Sequence, residues 1–260
     1  MILHALGIVA TGFVVGAMVG ISGVGGAALM TPLLILVFRV NPLVAIGTDL
    51  LYNVPTKLAG AIVHVRQGTV DRGIFSGLLT GGVPGVVLGL VALVYVRHAF
   101  DVKVIASFAK HAVAIALILS SVAMAIPLLR RTRAVDESKM PQTSVPRWKL
   151  VCVGAVVGFV VTLTSIGSGS LTLPLLYASW PALGLRKLVG SDVAFAAALI
   201  PLAATGHFAL GDVDVKLAAL LVLGSVPGAI IGSRLCKTLP EHLLRPVVAG
   251  TLIVVASRLV

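Results

Sequence analysis

Long apolar segments alternate with short polar or charged connections along almost the whole chain. Six of these segments come close to the roughly 20 apolar residues that a helix needs to cross the hydrocarbon core of a bilayer. Lipid offers the backbone no hydrogen-bond partner, so a chain that crosses it must be helical. The pattern predicts an all-α polytopic membrane protein with hydrophobic segments at about 2–21, 27–38, 43–65, 73–95, 104–127, 149–164, 170–180, 188–210, 215–235 and 243–260.

The two halves of the chain repeat one another. His64 and Asp71 recur as His207 and Asp214, each 143 positions later. The same offset relates Gly47-Thr48-Asp49 to Gly190-Ser191-Asp192 and Pro84-Gly85 to Pro227-Gly228, and with one residue of slippage residues 23–34 match residues 165–176. Each half holds five segments, and because five is odd, the second half is expected to enter the membrane from the opposite face. Such inverted repeats are typical of secondary transporters.

The repeat also divides the chain. We expect a first transmembrane repeat over residues 1–128, a hydrophilic cytoplasmic linker over 129–148 and a second transmembrane repeat over 149–260. Segments 1–2 and 6–7 either cross the membrane fully or form re-entrant hairpins. The parity of the later segments is the same in both cases.

Composition and charge refine this topology. Hydrophobic residues make up 58% of the chain and charged residues 11%, against about 25% charged residues in an ordinary soluble domain. If the connections alternate between two sides, one side collects Arg66, Arg72, Arg130, Arg131, Arg133, Lys139, Arg147, Lys149, Arg186, Lys187, Arg234, Lys237 and Arg245, and the other only Arg39, Arg97, Lys103, Lys216 and Arg258. By the positive-inside rule the first side is cytoplasmic, which leaves both termini outside the cell membrane. The same rule accounts for the net charge of +11 without a nucleic-acid partner.

The second segment of each half is too short to cross a bilayer and follows a glycine- and serine-rich stretch. Unwound backbone at membrane depth exposes N–H groups, and the positive end of the following helix favours an anion. We therefore expect the two stretches to cradle a small oxyanion, through Ser22, Gly23, Gly25 and Gly26 in the first half and Ser165, Gly167, Ser168 and Gly169 in the second. Close packing of small residues between helices is the alternative explanation.

Segment 3 carries polar and ionisable groups at membrane depth, which are functional candidates because they are costly there. Asp49, Asn53, Lys57 and His64 follow one another at helical spacing on roughly one face. Lys57 is expected either to bind the substrate anion or to pair with Asp49. Asp49 and its repeat partner Asp192 are expected to take part in coupling or gating, or else to compensate a helix dipole.

The paired histidines have two open roles as well. His64 and His207 both lie near the end of a hydrophobic segment with a glycine close by. They are candidates for proton relay or gating, and equally for anchoring at the membrane interface.

Several of these motifs together resemble a known family. Gly20-Ile21-Ser22-Gly23-Val24-Gly25-Gly26, the Gly-Thr-Asp at 47–49 and the string Gly206–Asp214 are similar to the TauE/SafE family of sulfite exporters, over essentially the whole chain. The resemblance implies transport of sulfite, organosulfonates or related sulfur oxyanions across the cytoplasmic membrane. It places the substrate site at the two glycine-rich stretches. We expect neither a cofactor nor a metal.

Other function classes remain open from the sequence. A passive anion channel fits the same features. The short Gly20-Ile21-Ser22-Gly23 string also matches the G-x-S-G around the serine of rhomboid intramembrane proteases, for which His64 or His207 would be the base. A structural scaffold is the remaining alternative. The expected partners are a small anionic substrate, the lipid bilayer and, as an open option, further copies of the same chain.

Overall fold

A computed structural model describes residues 2–22, 27–129, 146–179 and 185–235. These residues form α1 (Ile2–Ser22), α2 (Ala27–Leu36), α3 (Pro42–Arg66), α4 (Arg72–Ala99), α5 (Val102–Leu129), α6 (Arg147–Thr164), α7 (Thr172–Ser179), α8 (Leu185–Ala209) and α9 (Val215–Leu235). They contain no β-strand, as the apolar pattern predicts. The expected tenth segment and the linker lie outside the described residues.

Several helices are long and apolar enough to cross a bilayer. By length and composition these are Arg72–Ala99, Lys103–Ser120, Arg147–Thr164 and Lys187–Ala209, with shorter apolar stretches at Ala5–Met18 and Val215–Ile231. Helices α2 and α7, with 10 and 8 residues, span only about 15 and 12 Å at 1.5 Å per residue. Both end slightly inside the predicted segments. The prediction of short second segments is confirmed.

Helix boundaries follow local capping chemistry. The Asn41 side chain accepts a hydrogen bond from the Leu43 N–H at 3.0 Å, and Pro42 occupies the first turn of α3, where a missing N–H costs nothing. Asp71 caps α4 by accepting from the N–H groups of Gly73 and Ile74. Its repeat partner Asp214 begins α9 in a related way and accepts from Leu217 at 3.0 Å.

Helices α3 and α8, the third segments of the two halves, pack together and run antiparallel. The N–H of Asp214, just after α8, donates to the hydroxyl of Thr48 near the start of α3 at 3.0 Å. The N–H of Asp71, just after α3, donates to the Ser191 hydroxyl near the start of α8 at 2.9 Å. Thr48 and Ser191 are related by the repeat offset, and so are Asp71 and Asp214. Equivalent hydrogen bonds therefore join the two halves at opposite ends of the helix pair.

Glycines bring two further helix pairs into close contact. Helix α1 packs along α9, and its repeat counterpart α6 packs along α4. A Cβ atom on Gly81 of α4 would lie 1.8 Å from the Val151 carbonyl oxygen of α6. On Gly224, the repeat partner of Gly81, a Cβ atom would lie 2.0 Å from the Val9 carbonyl oxygen of α1. Such crossings depend on the absence of a side chain, as in other membrane helix pairs.

We predict that Gly81→Ala and Gly224→Ala each destabilise the protein, because the new methyl group collides with backbone that has nowhere to move. Overpacking of this kind costs about 1–3 kcal/mol. Gly7→Ala in α1 is the matched control, since a Cβ atom there has no neighbour within 4 Å in the part of the chain that the structure describes. Thermal unfolding followed by fluorescence-detected size exclusion should show lower midpoints for the first two variants. Equal midpoints for all three variants would contradict the close crossing.

Candidate functional site

The chain is unwound between α6 and α7. Residues 165–171 form no helix, although both flanking segments are helical. Ser165 has a left-handed backbone with φ 61°, and Gly169 has φ 84°, a conformation that side-chain-bearing residues rarely adopt. Ser165, Ser168 and Ser170 are all buried. The predicted interruption in the second half is therefore confirmed.

Local hydrogen bonds satisfy part of this unwound backbone. The Thr164 hydroxyl accepts from the Ile166 N–H at 3.1 Å. The Gly167 carbonyl accepts from the Thr172 hydroxyl at 3.1 Å and from the N–H groups of Leu171 and Thr172 at 3.0 Å. The N–H groups of Gly167, Ser168 and Ser170 have no acceptor of regular geometry among the described residues. These buried donors are what an anion site requires.

Asp49 joins three segments around this turn. Its carboxylate accepts from the Ser165 hydroxyl at 2.6 Å, from the Thr31 hydroxyl of α2 at 2.7 Å and from the Asn53 amide at 3.3 Å. The Asp49 side chain is fully buried. Asp49 thus connects the short helix of the first half to the interrupted region of the second. No local sequence pattern indicates that Thr31 binds Asp49, because this contact depends on the packing of α2 against α3.

Lys57 lies between the two buried aspartates without touching either. Its side chain is 6% exposed and forms no hydrogen bond or ion pair within 4 Å in the described part of the chain. It interacts electrostatically with Asp192 and, less strongly, with Asp49. The expected direct Lys57–Asp49 pair is therefore absent. An ammonium group in this position retains its hydrogen-bonding capacity for another partner.

The antiparallel arrangement of α3 and α8 explains why Lys57 interacts more strongly with Asp192 than with Asp49. Asp49 lies about 10 Å along α3 from its first residue, and Lys57 about 22 Å. Asp192 lies about 10 Å from the start of α8, at the opposite end of the pair. Because both helices have 25 residues, Lys57 lies nearer in depth to Asp192.

Asp192 differs from Asp49 in its surroundings. Both Asp192 carboxylate oxygens are buried and have no hydrogen-bond partner among the described residues. The N–H of Gly169 and the hydroxyl of Thr172 face the carboxylate, but the Thr172 hydroxyl already donates to Gly167. Asp49 and Asp192 are each the eighth residue of their helix, and neither first turn contains an acidic residue. Both residues therefore lie beyond the first turn of the helix as the structure describes it, which is the range over which a helix dipole acts on a charge.

The chain matches a known family over nearly its whole length. A family model described as sulfite exporter TauE/SafE covers residues 8–259. This protein belongs to the TauE/SafE family. It is 37% identical over 261 residues to the probable membrane transporter protein YjnA of Bacillus subtilis, covering 98% of this chain and 100% of the relative. It is 27% identical to the probable membrane transporter protein YdhB of the same organism, covering 93% of this chain and 96% of that relative. No solved structure matches the chain.

Membership of this family makes the TauE/SafE protein a multi-pass membrane transporter. The names of the family and of its relatives indicate membrane transport. The first glycine-rich stretch of the expected site is only partly covered by the structure. Gly23, Gly25 and Gly26 lie outside the described residues, and the Ser22 backbone ends α1. The assignment of these four residues to the substrate site stays a prediction.

The two histidines lie at opposite ends of the α3–α8 pair. The Nε2–H of His207 donates to the Thr162 carbonyl at 2.8 Å, and this side chain is fully buried. His207 is therefore not the exposed interfacial anchor that its sequence position suggested. His64 is half-buried, with its Nδ1 atom 2.9 Å from the Thr69 hydroxyl.

A charged cluster at the His207 end was missed in the sequence. The Arg97 guanidinium of α4 binds the Asp212 carboxylate and donates to the Leu210 carbonyl at 3.0 Å. His207 Nδ1 lies 3.5 Å from the same carboxylate. Arg97 and Asp212 both occupy connections that the charge pattern assigns to the outer side. This shared side is the only feature of the sequence that indicates that the two residues could meet. At the His64 end, Thr69 replaces Asp212 at the repeat offset, so that end lacks the carboxylate.

We predict that Thr31→Val destabilises this TauE/SafE protein by about 1.5–3 kcal/mol, because a buried charged acceptor loses a donor. Thr80→Val is the matched control, since the exposed Thr80 hydroxyl only bonds the carbonyl one turn earlier in its own helix. Thermal unfolding should separate the two variants. In an Asp49→Asn background the effect of Thr31→Val should shrink, because the neutral amide no longer requires that donor. The assignment is wrong if the control loses as much stability as Thr31→Val.

Proposed function

We propose that this protein is a secondary transporter that moves a small sulfur oxyanion, such as sulfite, sulfoacetate or taurine, across the cytoplasmic membrane. We further propose that transport is coupled to an ion and proceeds by alternating access. The observation that carries this proposal is Lys57, a buried ammonium without a direct partner among the described residues. It interacts electrostatically with Asp192 and Asp49, whose carboxylates face the unwound Ser165–Leu171 turn. A buried cation next to free backbone donors favours a small anion as ligand.

The chemistry of the turn supports an oxyanion in particular. The ionised sulfonate or sulfite group of such a substrate presents several acceptor oxygens and no donor. The N–H groups of Gly167, Ser168 and Ser170 supply donors, and Ser168 adds a buried hydroxyl. Lys57 supplies positive charge, whereas the Ser165 hydroxyl and the Asn53 amide already donate to Asp49. We assign the substrate role to Ser165, Gly167, Ser168 and Gly169 of the second half and to Lys57 of the first half.

We propose an inverted-topology repeat as the architecture of transport. The antiparallel α3 and α8, and the equivalent bonds of Thr48 with Asp214 and Ser191 with Asp71, support it. The α1–α9 and α4–α6 crossings also support it, because in each crossing the first segment of one half packs against the fourth segment of the other half. In such transporters one repeat rocks against the other around a fixed central site. Asp49, Asn53, His64, Asp192 and His207 remain the candidates for coupling and gating.

We predict that Lys57→Gln lowers the affinity for sulfite and sulfoacetate at least about tenfold, because the amide keeps the shape of the site and removes its only buried ammonium among the described residues. Lys103→Gln, at an exposed position at the start of α5, is the matched control and should transport normally. The measurement is concentration-dependent flux into proteoliposomes. Unchanged affinity in Lys57→Gln would remove Lys57 from the substrate site.

The same proteoliposomes distinguish a transporter from a passive anion channel. A coupled transporter accumulates substrate against its concentration gradient when a gradient of the coupling ion is imposed. A channel only equalises the substrate across the membrane. Uphill accumulation is expected here. Flux that always stops at equal concentrations, after the membrane potential is clamped, would favour the channel.

We predict that the α3–α4 connection is cytoplasmic and the α4–α5 connection faces outward, as the distribution of basic residues indicates. In a variant with Cys152 and Cys236 replaced by serine, cysteine is introduced at Gln67 or at Asp101, both exposed. A membrane-impermeant maleimide should label Asp101→Cys in intact cells and Gln67→Cys only after lysis. The reverse pattern would invert the proposed orientation, including the outward placement of both termini.

A further inference from the structure

We propose that the coupling ion is a proton, that Asp192 carries it, and that the proton and the substrate anion bind together. This inference rests on the proposed transport function and deepens it. Three observations carry it: the position of the Asp192 carboxylate, which faces the unwound turn, the net charge of the buried cluster, and the contrast between Asp192 and Asp49.

Asp192 occupies the place that an incoming anion needs. Its carboxylate faces the Gly169 N–H and the Thr172 hydroxyl and interacts electrostatically with Lys57. These are groups of the proposed substrate site or its immediate neighbours. A charged Asp192 therefore competes with the substrate for the same positive field. Neutralising Asp192 removes this competition, and a protonated carboxyl group can also donate a hydrogen bond to the substrate.

The charge balance of the buried cluster points the same way. Asp49, Lys57 and Asp192 are all buried, and when all are ionised they carry one negative charge in excess. A monovalent oxyanion would raise this excess to two charges, and a divalent one to three. Buried charge without compensation is strongly unfavourable. The anion therefore needs an accompanying cation, and one proton on Asp192 restores the charge of the empty site for a monovalent substrate.

The proton is assigned to Asp192 because Asp49 is already supplied with donors. Asp49 accepts hydrogen bonds from Ser165, Thr31 and Asn53, whereas neither oxygen of Asp192 has a partner among the described residues. An unpaired buried carboxylate is the group that gains most from a proton. Asp49 then acts as a positioning residue that holds the turn.

Few other titratable groups face Asp192. From α3 the charged groups are Lys57 and, at a different depth, Asp49. Helix α4 has no acidic residue, lysine or histidine between Arg72 and Arg97, and the interior of α6 and all of α7 lack charged residues. From the unwound turn only the Gly169 N–H and the Thr172 hydroxyl face the carboxylate, and neither titrates in this range. The pH response is therefore expected to come from Asp192 itself.

The experiment measures the affinity of purified protein for sulfoacetate and for sulfite at several pH values, in sodium-free buffer. Sulfoacetate gives the cleaner result because both of its acid groups stay ionised above about pH 6. If one proton binds with the anion, the dissociation constant should rise about tenfold per pH unit above the titration of Asp192. Asp192→Asn should abolish this slope. Asp101→Asn, at an exposed carboxylate outside the site, should keep it.

Each other result has a definite meaning. A wild-type affinity for sulfoacetate that does not change with pH, or one that requires added sodium, overturns the proton proposal while the transport proposal stands. A slope that survives Asp192→Asn overturns the assignment to this residue. Absence of binding of both ligands at every pH overturns the proposed function itself. If Asp192→Asn does not fold, a pH-sensitive dye inside wild-type proteoliposomes tests the proton coupling itself, because substrate entry should acidify the lumen. A lumen whose pH stays constant during substrate entry overturns the proposal.

Discussion

The structure depends on one constraint: backbone that leaves the helix inside a membrane must find its hydrogen bonds within the protein. Between α6 and α7 the Thr164 and Thr172 side chains and the Gly167 carbonyl meet part of this demand. Asp49 adds a side-chain contact from the other half of the chain, because its carboxylate accepts from the Ser165 hydroxyl and so holds the turn against α3. The donors that remain free are then available to a ligand, which is why a site can exist at this depth.

A second consequence of low polarity concerns charge. Three ionisable groups lie together on α3 and α8, and their environments differ although two of them are related by the repeat. Asp49 is surrounded by donors and Asp192 is not, while Lys57 has no counterpart because the repeat offset places Ile200 there. This departure from the duplication leaves α3 with the buried lysine of the described residues, whereas α8 has an apolar side chain at the equivalent position. Function in such proteins is expected where the repeat is broken as well as where it is kept.

The helix crossings around the site serve a different purpose. At Gly81 and Gly224 the helix backbones approach too closely for any side chain, and the two contacts are equivalent in the repeat. Such contacts hold α1 against α9 and α4 against α6 without polar groups, so the polar residues can be concentrated between α3 and α8. The Arg97–Asp212 pair closes one end of this central pair with charge, and the His64 end has a hydroxyl in place of the carboxylate.

The sequence alone determined the all-helical class, the duplication, the short second segments and the position of the interruption after α6, because hydropathy and glycine content act locally along the chain. It also indicated that Asp49, Asn53 and Lys57 share a helix face. Only the tertiary structure decided which groups meet: Thr31 and Ser165 on Asp49, Arg97 on Asp212, and Lys57 between two carboxylates instead of paired with one. These contacts join residues distant in sequence, and the antiparallel packing of α3 and α8 sets their depth. No local pattern encodes that relation.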